Sequence, residues 1–469
     1  MKNAARLVFI PSPGVSHLVS TMEFAKFLTN RDDRLWITVL IINHPSHTTT
    51  SAHINSLDSE RVQIINLPQP QYPPNSESNP TTRLQQLKPH VKEAVSNLTS
   101  QPPLAAFIVD MFCTTMSDVA KEFGVPTLVF FTSGLASLGL MLHIHTLLEQ
   151  DNTQFRDSHT ELTIPTFINQ VPSTALPSLG LDKQWEAVFV AFARGLKEAD
   201  GIIVNSFEEL ESHAFNSFDG ALPIYPVGPI LNTTPKPHIE ADNAHIFNWL
   251  HHQPPSSVVF LCFGSMGSFA EDQVREIARA LEDTGARFLW SLRKPPPSDS
   301  GTFRASPSDY SISDLTAVLP PGFLDRTAGI GKVIGWAPQA QILAHPATGA
   351  FVSHCGWNST LESIYFGVPI ATWPLFAEQQ ANAFLLVREL KLAAEIVLDY
   401  RVDFKFGPNT LLTADKIEKG IRGVLDMDED TRKRIKEMSE KSRKTLLEGG
   451  CSYSQLGRLI DYIMNQVSL

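Results

Sequence analysis

Short apolar runs, each closed by a turn and followed by helical periodicity, limit what this chain can fold into. Leu7–Ile10, Ile37–Ile42, Ala105–Val109, Thr127–Phe131 and Gly201–Asn205 recur through the first half. Ser257–Phe263, Arg287–Ser291 and Ala350–Ser353 recur through the second. Runs without polar alternation suit strands buried on both faces, hence parallel sheets covered by helices. Helices are predicted between them over Leu18–Leu28, Leu84–Leu98, Met116–Phe123, Ser137–Leu148, Trp185–Lys197, Phe207–Phe218 and Glu271–Glu282. This alternation describes a doubly wound α/β fold. At 469 residues the chain exceeds one core. Tyr225–Ile239 (YPVGPILNTTPKPHI), proline-rich and aperiodic, reads as the linker. Residues 1–238 and 239–450 are the expected domains, with 451–469 as a closing segment. Helices are expected over Thr413–Leu425, Arg432–Leu447 and Tyr453–Met464. Three stretches read as loops: Pro68–Pro80, a long surface loop Asp151–Leu181, and a mobile insertion Lys294–Ser313.

The most informative stretch runs from Trp336 to Gln379. Ala350–Ser353 is a strand, and His354-Cys355-Gly356-Trp357 a turn in which Gly356 takes a backbone conformation closed to other residues. Asn358 or Ser359 caps the helix that follows, with Glu362 one turn beyond Asn358. A helix N-terminus at the carboxyl end of a parallel strand is a site for phosphate. Trp336 offers a flat face for a base, and Glu362 an acceptor for ribose hydroxyls. Glu378 and Gln379 form a polar pair for sugar hydroxyls, the Gln379 amide bringing two donors and one acceptor. Phosphate, ribose, base and sugar together describe a nucleotide-sugar. For chemistry, His17 lies just past the first strand and has the pKa range of a general base. Asp110 ends the strand LAAFIVD and can orient that imidazole. The plainer alternatives are a structural helix-start histidine and a solvated strand-end aspartate.

WAPQ, HCGWNS, LES, GVP and the closing EQ of this stretch resemble the donor-binding box of the plant family-1 UDP-glycosyltransferases. PSPGVSH near the amino terminus and the central FGS resemble further motifs of that family. The resemblance implies the GT-B arrangement: two Rossmann-like domains with parallel sheets facing across a cleft, acceptor in the first and UDP-sugar in the second. It also implies a final helix that returns to the first domain. His17 becomes the catalytic base and Asp110 its partner. Trp336 stacks on uracil, and the Ala337 backbone pairs with its edge. Gln339 and Glu362 take the ribose. Ser265, His354, Asn358 and Ser359 take the phosphates. Thr132, Trp357, Glu378 and Gln379 take the hexose. Glutamine at position 379 goes with glucose in that family, so UDP-glucose is the expected donor. The implied reaction is inverting transfer to a hydroxyl of a small lipophilic phenol of flavonoid, stilbene or coumarin type. Terpenoid or other alcohol acceptors, or a non-catalytic nucleotide-sugar-binding protein, are the alternatives.

Other classes fit less well. A net charge of −11 argues against nucleic acid and anionic membranes as partners. No apolar stretch is long enough to span a bilayer, and the amino-terminal one is too short for a signal peptide. Cys113, Cys262, Cys355 and Cys451 show neither CxxC nor metal spacing and read as reduced thiols of a cytoplasmic protein. Asp426-Met-Asp428 has the spacing of a metal pair but sits in the acidic turn LDMDED, which reads as a solvated turn. A monomer without metal or further cofactor is expected. A nicotinamide-dependent oxidoreductase would need GxGxxG after a strand, which neither Pro11–His17 nor Phe263–Ser268 supplies. A binding protein without catalysis would have no use for both His17 and Asp110.

Overall fold

The computed structural model describes residues 4–42, 60–68, 80–98, 101–157, 159–218, 220–233, 241, 243–297, 306–402 and 411–467. The first half forms β1 (Ala5–Ile10), β2 (Leu35–Ile41), β3 (Val62–Asn66), β4 (Leu104–Asp110) and β5 (Thr127–Phe131). A hairpin of β6 (Glu161–Leu162) and β7 (Val171–Pro172) follows, then β8 (Gly201–Val204) and β9 (Ile224–Pro226). All but the hairpin join one seven-stranded parallel sheet in the order β3-β2-β1-β4-β5-β8-β9. The second half forms β10 (Val258–Cys262), β11 (Arg287–Ser291), a hairpin of β12 (Arg293–Lys294) and β13 (Ser308–Asp309), β14 (Gly331–Ile334), β15 (Thr348–Ser353), β16 (Ile370–Thr372) and β17 (Ala393–Glu395). Its six-stranded parallel sheet runs β14-β11-β10-β15-β16-β17.

Both orders reverse direction once, between β1 and β4 and between β10 and β15. Such switch points open a crevice at the carboxyl ends of the strands. The central strands are buried on both faces, which is why they read as unbroken apolar runs. Leu7 and Phe9 pack to one side of β1, Val8 and Ile10 to the other. The Cys451–Asn465 helix joins the first of these layers, with Leu456, Leu459, Ile460 and Ile463 buried among Leu7, Phe9, Phe24 and Val227. Arg31 lies over the Tyr453 ring at 3.8 Å.

Several elements differ from the sequence reading. Asp151–Leu181 is no solvated surface loop. Its hairpin is paired, and Phe155, Leu162, Ile164, Phe167 and Leu176 are buried without helical or strand periodicity. It is also tied to the second half. The N–H groups of Ile168 and Asn169 donate to Glu389 at 2.9 and 2.8 Å, and Arg401 donates to Ser178 Oγ and the Thr174 carbonyl at 2.6 Å. The helix expected over Phe207–Phe218 is confined to Ser212–Asn216. Glu211 turns its buried carboxylate inward instead, to accept from the N–H groups of Leu135 and Ala136 that open another helix. The expected linker begins inside the sheet, since Ile224–Pro226 pairs with β8. Its next residues, 227–233, are described, with Val227 and Ile230 buried. Its last residues, 234–239, and the 238/239 boundary lie outside the described residues, as do most of Pro68–Pro80 and the centre of Lys294–Ser313. The described part of that insertion includes β12, β13 and a helix over Ile312–Val318. The half-polar edge strand β3 and the helix Ala244–His251 carried no signal that was read.

Candidate active site

The first crevice brings together His17 and Asp110. β1 ends at Ile10, Pro11–Gly14 turns, and a helix opens at Val15 with Gly14 as its cap residue. Asp110 ends β4, whose Val109 is paired with Ile10. Pairing neighbouring strands thus sets the carboxylate beside the imidazole. His17 Nδ1 lies 2.7 Å from Asp110 Oδ2, while Asp110 Oδ1 accepts from the Phe112 N–H at 3.0 Å. With Nδ1–H given to Asp110, Nε2 carries the lone pair, and no partner meets it among the described residues. Burial alone would disfavour the imidazolium. The charge and hydrogen bond of Asp110, joined by the charge of Glu378 from the second half, outweigh it and hold the His17 pKa above its ordinary value. Thr132, expected against the sugar, has its hydroxyl 3.1 Å from the same Nδ1. Phe112 was not singled out from the sequence, yet its ring centroid lies 5.3 Å from that of His17 and meets Phe192 edge-on.

The second crevice is built around His354. The strained residue of its turn is Cys355, with φ 61°, and not Gly356, whose φ of −60° is open to any residue. A left-handed non-glycine costs about 1–3 kcal/mol and needs holding. Ser353 Oγ accepts from the Cys355 N–H at 3.1 Å, and Asn382 Nδ2 donates to the Cys355 carbonyl at 3.0 Å. Glycine is needed at 356 for space: a Cβ there would fall 2.5 Å from His354 Nε2, and one on Gly264 2.6 Å from the same atom. Clasped between two glycines, the His354 ring is buried, and burial pushes its pKa down to about 4. Its Nδ1 is buried with no hydrogen-bond partner among the described residues. Exposed Ser265 follows Gly264 on the same turn.

The helix after this turn opens at Trp357, so neither Asn358 nor Ser359 caps it. Both side chains are used elsewhere. Asn358 Nδ2 donates to Ser20 Oγ of the first half at 2.9 Å, and Ser359 Oγ accepts from Gln339 Nε2 at 2.8 Å. Gln339 also donates to Glu362 Oε2 at 2.7 Å. Burial raises the Glu362 pKa to about 7, with that bond opposing. The Trp357 indole is likewise committed. Its N–H donates to the Asn205 carbonyl at 2.6 Å, and its ring lies where a Cβ on Gly134 would come within 2.7 Å. Trp336 is half exposed, and Ala337 beside it is buried. Gln379 is buried, and its Oε1 accepts from the N–H groups of Leu375 and Phe376 at 2.9 and 3.1 Å. The acceptor assigned to a sugar is therefore spent on the chain, leaving the amide N–H groups. Burial raises the pKa of its neighbour Glu378. Asp428, of the acidic turn, caps the helix Glu429–Lys444 by accepting from the Thr431 N–H at 2.8 Å.

Comparison with known proteins identifies the family. Residues 230–398 match the family model described as UDP-glucuronosyl and UDP-glucosyl transferase. The chain is 51% identical to a UDP-glucose flavonoid 3-O-glucosyltransferase of Fragaria ananassa, across 99% of each. It superposes on a glycosyltransferase of Siraitia grosvenorii solved with UDP, with TM-score 0.85 and 44% identity over 98% of this chain and 100% of that one. A Medicago truncatula glycosyltransferase complexed with UDP-glucose gives TM-score 0.85 and 39% identity over 99% of each chain.

Proposed function

This chain belongs to the plant family-1 UDP-glycosyltransferases, with their GT-B fold, and we propose that His17 and Asp110 drive its transfer of glucose from UDP-glucose to a phenolic hydroxyl. The carrying observation is the 2.7 Å pair in which Nδ1 is tied to Asp110 and Nε2 is left as base. Nε2 takes the acceptor proton, the freed oxygen attacks the anomeric carbon, and the bond to UDP breaks with its electron pair. Asp110 steadies the imidazolium as it forms. One displacement turns an α-linked donor into a β-glucoside. The departing diphosphate needs N–H donors. His354 Nδ1 and the helix opening at Trp357 supply them, with Ser265, Asn358 and Ser359 alongside. Since the Asn358 side chain and the Trp357 indole are engaged with the first half, their backbone N–H groups carry that task. Trp336 stacks on the base, the Ala337 backbone reads its edge, and Gln339 and Glu362 take the ribose. Glu378, the Gln379 amide and Thr132 face the hexose.

Phenols are favoured over aliphatic alcohols by the Phe112 ring beside His17, backed edge-on by the buried Phe192, which suits a flat aromatic acceptor of the kind named for the Fragaria relative. The protein acts as a cytoplasmic monomer in this reading. All four cysteines are free, and no helix among the described residues is long and apolar enough to cross a membrane. Assaying UDP release with UDP-glucose against flavonoids, stilbenes, coumarins and aliphatic alcohols tests the reading, with NMR of the product anomer. Release with no phenol, or an α-glucoside, would overturn it.

A further inference from the structure

Trp336 is held by a carboxylate that lies outside the donor stretch. The Trp336 N–H donates to Asp309 Oδ1 at 2.9 Å. The carbonyl of the same peptide, that of Gly335, accepts from Ser291 Oγ at 2.8 Å. One peptide plane is thus gripped at both edges. Asp309 is itself fixed, because Arg293 Nε lies 2.9 Å from the same oxygen and Arg293 and Asp309 face each other in the β12–β13 pair. Arg293 also donates to the carbonyls of Ser308 and Pro307 at 3.3 and 2.5 Å. Gly335 leaves the room for this approach, since a Cβ there would lie 2.3 Å from the Asp309 carboxyl carbon. The indole itself is 50% exposed, so little packing orients it. Its direction is set chiefly by the backbone from which it leaves.

We propose that Asp309 is a positioning residue for donor binding: by fixing the Gly335–Trp336 peptide, it sets the plane that the exposed indole offers to the base of the UDP-sugar. This rests on the reading of Trp336 as the base platform. Asp309 touches no reacting atom, so it acts on donor affinity and not on chemistry. Its side chain is more than half exposed, so its replacement spares the core.

Steady-state kinetics with UDP-glucose and one phenol, on wild type, Asp309→Ala, Asp309→Asn, Trp336→Ala and the double variant, tests the assignment. Asp309→Ala is expected to raise the KM for UDP-glucose about five- to tenfold, with kcat and the acceptor KM within about twofold. Asp309→Asn is expected to restore the donor KM, because its amide oxygen accepts the same N–H. In the Trp336→Ala background, Asp309→Ala should add nothing. An unchanged donor KM in Trp336→Ala would remove the base-platform reading and this proposal with it. A raised KM there beside an unchanged one in Asp309→Ala would remove the proposal alone. So would failure of Asp309→Asn to rescue, which would assign the effect to charge, or additive effects in the double variant.

Discussion

His17 and His354 stand in matching places, each where a parallel strand hands over to a turn and helix at the switch point of its sheet. Their surroundings differ in one respect that decides everything else. Asp110 bonds to His17 and Glu378 reaches it by charge, whereas among the described residues no carboxylate acts on His354 and burial sets its pKa. The same ring is thereby tuned upward toward proton uptake in one crevice and locked neutral in the other. A fold position supplies a crevice; the charges around it assign the chemistry.

The largest break in this comparison comes from removing the base. His17→Ala should lower kcat about 10²–10⁴-fold, while calorimetry finds UDP affinity within a few-fold of wild type. Turnover within tenfold would mean another group takes the proton. Next is Asp110→Asn, whose amide oxygen can still accept from Nδ1–H but cannot steady the cation. Turnover should fall about 10- to 10³-fold. Because Asp110 raises the His17 pKa and the base works unprotonated, wild-type kcat/KM should decline as pH falls through a value above 6.5. In the variant that decline should move to lower pH, and a profile that stays in place would sink the assignment.

His354→Ala sharpens the other side. The donor KM should rise about tenfold, and the acid limb should stay where it is, since a group with a pKa of about 4 does not titrate there. A shifted limb would mean that His354 and not His17 governs the pH response. A smaller effect concerns Gln379. Wild type should prefer UDP-glucose to UDP-galactose by about tenfold or more in kcat/KM. Gln379→Glu keeps the oxygen that Leu375 and Phe376 need but loses the amide donors, so glucose transfer should fall about tenfold with the melting temperature nearly unchanged. Equal use of both donors by wild type would place selection elsewhere.

What could be read from the sequence follows from where each signal resides. Asp110 and His354 sit at strand ends and His17 in the first turn of the helix after one, and strand ends are marked by apolar runs that stop. The sequence points to Gly356 and not Cys355 as the strained residue, because a glycine advertises freedom whereas a strained cysteine is held by contacts such as those of Ser353 and Asn382, made only in the fold. Asp151–Leu181 reads as a surface loop because its buried side chains follow no period. The roles of Asn382, Glu211 and Asp309 exist only as contacts between distant segments. The second use of Gln379 was hidden for a different reason: a side chain's bond to its own turn leaves no trace in composition or spacing.

The helix Cys451–Asn465 has a consequence for how the molecule is made. It completes one face of the first sheet beside the Val15–Arg31 helix, yet it leaves the ribosome after the whole second sheet. During synthesis, Leu7, Phe9 and Phe24 must wait with part of their apolar cover missing, so the half made first is the half completed last. Nascent chains are therefore most exposed to chaperones and to aggregation through that uncovered face, and substitutions at Leu459 or Ile463 should cost yield in the cell before they cost activity in the tube.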